Sequence, residues 1–179
     1  MIVPNIVQYF ADTSYTESLV IAFVYPLPAQ AVTLVCDYAD NVIQAVLEGR
    51  KPSRIAEGKP YHRDVHRLVF LGVTDYARTI GSSLTASRLE PYKNRFLAKD
   101  HVPSISIDTL DVHPGKSSAA FAVSLDFVNF GGCSFLFTHL RVERKLLRST
   151  GKNAEGEWVY IDVSTNQPVD FYHPFDLHR

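Results

Sequence analysis

The sequence predicts a mainly β protein: an antiparallel β-sandwich or flattened barrel of about seven strands with one or two short helices, forming a single domain over residues 1–179. Three observations carry this. Residues 118–128 alternate with period two, apolar at Ala119, Phe121, Val123, Leu125 and Phe127 and small or polar between them. Two stretches, 17–38 and 118–147, each consist of two apolar runs separated by Pro- or Gly-rich turn residues. The strand–helix alternation that a parallel sheet needs is missing. At 179 residues and 46% hydrophobic, the chain can bury a core without disulfides or a metal. No apolar run approaches the ~18 residues of a transmembrane helix.

The first hairpin comes from residues 17–25, rich in β-branched and aromatic types, and residues 31–38, joined through Pro26 and Pro28. Both strands are apolar on both faces, so they are expected to sit centrally in a sheet or under another layer. Asp40-Asn41 caps a short helix carrying Val42, Ile43, Val46 and Leu47, with Gly49 as its stop. Residues 50–66 hold Pro52, Gly58, Pro60 and many charges, and read as an exposed loop. Residues 67–73, Arg-Leu-Val-Phe-Leu-Gly-Val, make a buried strand.

Residues 74–102 are the least regular part, a long excursion in which Ser82-Ser83 starts a helix that runs to Leu89 and stops before Pro91, and Asn94–Lys99 adds a helical turn. Residues 104–108 alternate as a half-buried strand, and His113-Pro114-Gly115-Lys116 is a turn. The second hairpin, turning at Asn129–Gly132, returns along 133–147 and carries polar residues on one face in its second half. The two hairpins are placed to supply one sheet each. Trp158, Tyr160 and Asp162 alternate with Val159, Ile161 and Val163 in a last strand. The tail, with Phe171, Tyr172 and Phe175, is too aromatic to float free and is expected to dock across the domain.

Charge is segregated. Residues 1–49 carry five acidic residues and no Lys or Arg, residues 50–152 carry 17 basic against nine acidic, and residues 153–179 carry five acidic and one basic. Either acidic terminal segments pack beside a basic middle, the favoured reading, or a basic face attracts an anionic partner. The pI near 6.6 argues against a nucleic-acid binder. The start, Met1-Ile2-Val3-Pro4-Asn5, with its first basic residue at Arg50, lacks the basic head and apolar run of a secretory signal, so the protein reads as cytoplasmic. Cys36 and Cys133 lie inside apolar stretches and read as buried thiols.

The candidate site residues are Tyr61, His62, Asp64, His66 and His139. His62 and His66 stand four apart with Asp64 between them, side chains of metal-ligating type, yet neither a His-Glu-x-x-His spacing nor a further ligand nearby supports a metal site. His139 interrupts an apolar strand and is placed to act as an acid or base in a cleft. Asp126 lies mid-strand; if covered, it needs a partner such as Arg141 or Arg144. No nucleophile elbow, Walker sequence or dinucleotide fingerprint is present, so no cofactor is expected.

The apolar hairpin at 19–38, the Leu68-x-Phe70-x-Gly72-Val73 core and the polar-faced hairpin after it resemble small uncharacterised bacterial β domains, some of them similar to immunity proteins of toxin systems. Only residues 68–73 carry this resemblance. It implies a protein partner and transfers no site residue. The sequence therefore favours a non-enzymatic binding protein, acting on a protein partner or on its own copy, without membrane insertion. A small-molecule binder or metal-dependent hydrolase on a β scaffold is the alternative.

Overall fold

The computed structural model describes residues 1–25, 30–38, 62–79, 88–89, 105–116, 120–128 and 130–175. Eleven strands and one helix lie in them: α1 (Ile6–Asp12), β1 (Leu19–Val24), β2 (Ala31–Asp37), β3 (His62–Leu71), β4 (Thr74–Arg78), β5 (Arg88–Leu89), β6 (Ile107–Pro114), β7 (Phe121–Phe127), β8 (Gly131–Phe137), β9 (His139–Lys152), β10 (Trp158–Asp162) and β11 (Pro168–Val169). They form two antiparallel sheets, one of order β11-β10-β9-β3-β2-β1-β5 and one of order β4-β8-β7-β6. The expected β-sandwich or flattened barrel is what the chain builds; the first hairpin, β1–β2, lies in the large sheet, whereas the second is divided, with β7 and β8 in the small sheet and residues 139–147, in β9, in the large one.

The sheets are halves of one ribbon folded over. β3 pairs with β9 from His62↔Arg148 to Leu71↔His139, and β4 pairs with β8 starting at Thr74↔Leu136. Both strands of the ribbon turn the corner together, at Gly72 and at Thr138. Gly72 has φ +66°, and a Cβ there would stand 2.3 Å from the Thr138 hydroxyl. The corner thus needs a residue that accepts positive φ and takes up no space. Thr138 seals it by donating its backbone N–H to the Leu71 carbonyl at 2.9 Å. On the opposite side, Val20 and Ile107 exchange main-chain bonds with Ile105 and Ser18, which ties the start of β6 to the start of β1.

Alternation sorts the side chains. On β3, Leu68 and Phe70 face the second sheet, while Val65 faces outward. The main core runs between the sheets, with Phe23, Leu34, Leu68, Phe70, Leu125, Phe127, Phe135, Phe137 and Leu140 all buried. β7 buries Val123, Leu125 and Phe127 and exposes Ser124, as period two requires. A smaller core lies on the outer side of the large sheet, where Phe171 and Phe175 of the tail cover Ile21, Val35, Val65 and Leu147. The tail therefore docks, and the apolar character of β1 and β2 on both faces is explained. Charge blocks meet as expected: Arg63 pairs with Asp37 at 2.7 Å, and Lys145 with Asp162 at 3.8 Å. No helix among the described residues is long and apolar enough to cross a membrane.

Several expectations are corrected. Residues 62–66, expected at the end of the 50–66 loop, belong to strand β3: His62–Leu71 pair with β9, and Val65–Leu71 also with β2, while residues 50–61 lie outside the described residues. The return strand 133–147 is two strands, broken at the Thr138 corner. Residues 74–78 of the irregular excursion form β4. The turn placed at His113–Lys116 begins after Pro114, whose partner in the ladder is Phe121. Leu89 lies in a two-residue strand paired with Phe23, not at the end of a helix. Helix α1 falls where no element was expected; Asn5 caps it by accepting from the Gln8 N–H at 3.1 Å, and Ile6 anchors it in the core. Asp126 is half-buried and takes a hydrogen bond from Thr109 rather than from Arg141 or Arg144. The helix expected at 40–49, the turn at 94–99 and Tyr61 lie outside the described residues.

Candidate functional site

Polar groups gather where the inner face of the large sheet runs out from under the second sheet. β3 carries Asp64 and His66 on that face, in line with Leu68 and Phe70. The register sets Cys36 of β2 on one side of His66 and Arg144 of β9 on the other. Asp64 and His66 are each only 6% exposed, which obliges both to find partners. They find each other, His66 Nε2 to Asp64 Oδ1 at 3.2 Å. Arg144 donates Nε and one Nη to the two carboxylate oxygens at 2.7 and 2.5 Å, the fork geometry of a bidentate pair.

The chain continues through two phenols. His66 Nδ1 meets the Tyr15 hydroxyl at 2.9 Å, and that hydroxyl meets Tyr9 at 2.5 Å. Tyr38, just after β2, lies flat on the imidazole, with ring centroids 4.6 Å apart and planes 19° apart. Burial opposes ionisation of Asp64, but the bonds from His66 and Arg144 outweigh it and hold the carboxyl below its ordinary value. Burial pushes the Tyr15 and Tyr9 hydroxyls up, so both keep their protons.

Proton directions follow from that assignment. An ionised carboxylate only accepts, so the proton of the His66–Asp64 bond sits on Nε2. In the neutral imidazole Nδ1 then accepts from Tyr15, and the Tyr15 oxygen accepts from Tyr9. The Tyr9 oxygen, at the end of the line, is left with acceptor capacity.

Tyr9 spends that capacity in a recess of about 830 Å³ whose walls include Asp12 and Thr13 from the end of α1, and Tyr38, Asp64, His66 and Arg144 from the sheet. The opening has a backbone cause. Residues 1–3 pair with β9 up to Val142, and the next main-chain bond on that edge joins Val163 to Leu146. Between them, among the described residues, no strand pairs with β9 on the edge away from β3. The gap at 143–145 admits solvent to both faces of the sheet, so Glu143, Lys145 and Phe175 of the outer side also border it.

The candidate residues fare differently. Asp64 and His66 are central. His62 starts β3, exposed, beside Arg148. Four residues along an extended strand separate it from His66 by roughly 13 Å, so the two cannot share one ion. Among the described residues no group of three His, Cys, Asp or Glu is arranged to hold a metal. His139 is exposed at the ribbon corner, bonded to Thr138 Oγ1 at 2.9 Å. Tyr9, Tyr15, Tyr38 and Arg144 were missed as site residues. The one local signal was Asp64-x-His66 in line with the apolar Leu68-x-Phe70; two buried polar groups there require partners from elsewhere.

No protein-family model, curated protein or solved structure matches this chain.

Proposed function

We propose that this protein works by binding rather than by turnover, and that its ligand is a small polar molecule taken into the recess beside β9. One observation carries the reading: both ring nitrogens of His66 are engaged, at 2.9 Å by Tyr15 and at 3.2 Å by Asp64. An imidazole so held has no vacant nitrogen for a substrate. It acts as a prop that orients Tyr9 and, through Asp64, Arg144. The Arg144 side chain is 63% exposed, which leaves it reachable from the recess. The nearest thiol, Cys36, is fully buried and burial pushes it well above its ordinary value, so it is no nucleophile. The volume of about 830 Å³ lies in the range of small-molecule sites. A cytoplasmic setting belongs to this reading, since Cys36 and Cys133 are both free thiols.

A thermal-shift screen of metabolite-sized compounds tests it, run on the wild type and on Tyr38→Ala and Arg144→Ala. The expected result is a set of compounds that stabilise the wild type and lose their effect in the variants without being consumed. Turnover of a compound would overturn the reading. So would a screen without hits, above all if the wild type instead retains a protein partner or self-associates.

A further inference from the structure

We propose that the recess takes a short peptide, bound as a three-residue strand on the open edge of β9 with its carboxylate beside Met1; this rests on the small-ligand reading above and names the ligand class. The observation behind it is an interrupted edge. β10 runs antiparallel to β9 as far as Asp162↔Leu147, and Val163 then donates to the Leu146 carbonyl. Residues 1–3 run antiparallel to the same edge: Met1 and Val142 exchange bonds in both directions, Ile2 stands opposite Arg141, and Val3 donates to Leu140. The two segments therefore lie in one line with one chain direction, Val163 closing the first and Met1 opening the second. Between them, among the described residues, no strand pairs with positions 143–145 on that edge.

The phase of the ladder says what fits this slot. In an antiparallel pair every second residue turns both its N–H and its C=O to the same edge. On this edge Leu140, Val142 and Leu146 do so, and Arg144 is in phase with them. Its main-chain N–H and C=O point into the slot, and among the described residues no backbone group bonds to them there. A peptide residue opposite Arg144 answers both at once, donating its N–H and accepting through its C=O, which is how a strand edge recruits an extended peptide. From Val142 to Leu146 the edge spans roughly 14 Å, so three residues fit between Met1 and Val163.

Direction and facing follow. A guest antiparallel to β9 has its amino end by Val163 and its carboxyl end by Met1. A free carboxylate there meets the Met1 ammonium, which otherwise donates to the Val142 carbonyl. A guest running the other way would set its own ammonium against that of Met1. Opposed residues share a face of the sheet. The middle side chain therefore lies with Arg144 on the inner face, toward the recess walls at Tyr9, Asp12 and Tyr38. The first and third fall on the outer face, opposite Lys145 and Glu143.

Two-dimensional ¹H–¹⁵N NMR of the Arg144 amide tests the proposal, on a chain beginning at Met1 with no tag before it. The probes are N-acetyl-Ala-Gln-Ala with a free carboxylate, the same peptide as its C-terminal amide, and the free acid methylated on the Gln nitrogen. The free acid should move the Arg144 N–H downfield and slow its exchange with solvent. The amide should bind roughly two- to fivefold more weakly, having lost one exposed charge pair. The methylated peptide, which lacks the N–H aimed at the Arg144 carbonyl, should bind about tenfold more weakly or worse. Adding Ala-Thr-Ala before Met1 continues the chain into the slot, and should abolish peptide binding. Methylated or amidated peptide bound as well as the free acid would overturn the proposal, as would an extension that leaves binding unchanged. An Arg144 N–H that moves with protein concentration alone would give the slot to a second copy and overturn it too. If no peptide binds by roughly 10 mM, the peptide class falls, and the compound screen decides separately whether the recess is a site.

Discussion

Asp64 and His66, two residues apart on β3, hydrogen-bond to each other at 3.2 Å while Arg144 of β9 grips the same carboxylate through two nitrogens. On the opposite face of the sheet, Asp37 is also buried and also paired with an arginine, yet the two carboxyls respond to burial in opposite ways. Burial raises Asp37 to about 6 despite Arg63, which contributes a single bond. Asp64 has three bonds and falls below its ordinary value.

That contrast gives a pH dependence with a definite sign. Asp37 binds its proton more tightly folded than unfolded, so its charge costs stability above about pH 6, and this cost is relieved as pH falls toward the unfolded value of about 3.9. The relief is at most roughly 2–3 kcal/mol. Asp64 has the reverse sign: its contribution is present above the unfolded value and is lost as pH falls through its lowered folded value. Stability measured by urea titration should therefore rise from about pH 7 to about pH 5 and fall below about pH 4. Asp37→Asn should remove most of the rise, and Asp64→Asn should flatten the acid fall. A wild-type profile that declines steadily from neutrality would contradict this assignment.

The faces of β7 are separable by mutation. Phe127 is 2% exposed and packs edge-on against Phe23 with centroids 5.2 Å apart, whereas Ser124 is exposed. Phe127→Ala should cost roughly 3–5 kcal/mol in a denaturant titration. Ser124→Ala should stay within about 0.5 kcal/mol. Equal losses would mean that the strand is covered on both sides.

The tail holds the outer core through aromatic rings. Phe171 stacks on Tyr160 at 5.1 Å, and the Arg67 guanidinium lies over Phe175 at 5.0 Å. Removing residues 165–179 should lower stability by several kcal/mol, since burial at about 25 cal/mol per Å² outweighs the loss of surface ion pairs. Raising salt to about 0.5 M should change this loss little, because screening reaches only the smaller contribution. An unchanged melting temperature after truncation would show that the tail does not contribute to the core.

How far the sequence reveals this molecule depends on the range of the interactions involved. Alternation at 119–127 and 158–163 is local, and both strands appear where it places them. The ribbon corner was not legible: Gly72 and Thr138 are 66 residues apart, and neither is unusual alone. The short helix α1 lacks the length for a clear apolar stripe, and its cap at Asn5 is a single residue. Asp64 and His66 stood out only as metal-ligating types close in sequence, within a stretch read as an exposed loop; their burial on a face of β3 depends on pairing with distant strands. Tyr15, which completes the line, is 51 residues from His66 and sits in a segment with no periodicity. The pairing of Arg144 with Asp64 follows from the β3–β9 register, which fixes it only once both strands are aligned.

The central claim, that His66 is a fully engaged prop whose neutral form leaves Tyr9 as an acceptor in the recess, is tested most directly by long-range ¹H–¹⁵N NMR of the His66 ring. At about pH 7.5 the account requires the tautomer protonated on Nε2, with an unprotonated Nδ1 accepting from Tyr15 and shifting on Tyr15→Phe. A proton on Nδ1 in the neutral ring, or an Nδ1 signal indifferent to Tyr15→Phe, would contradict it.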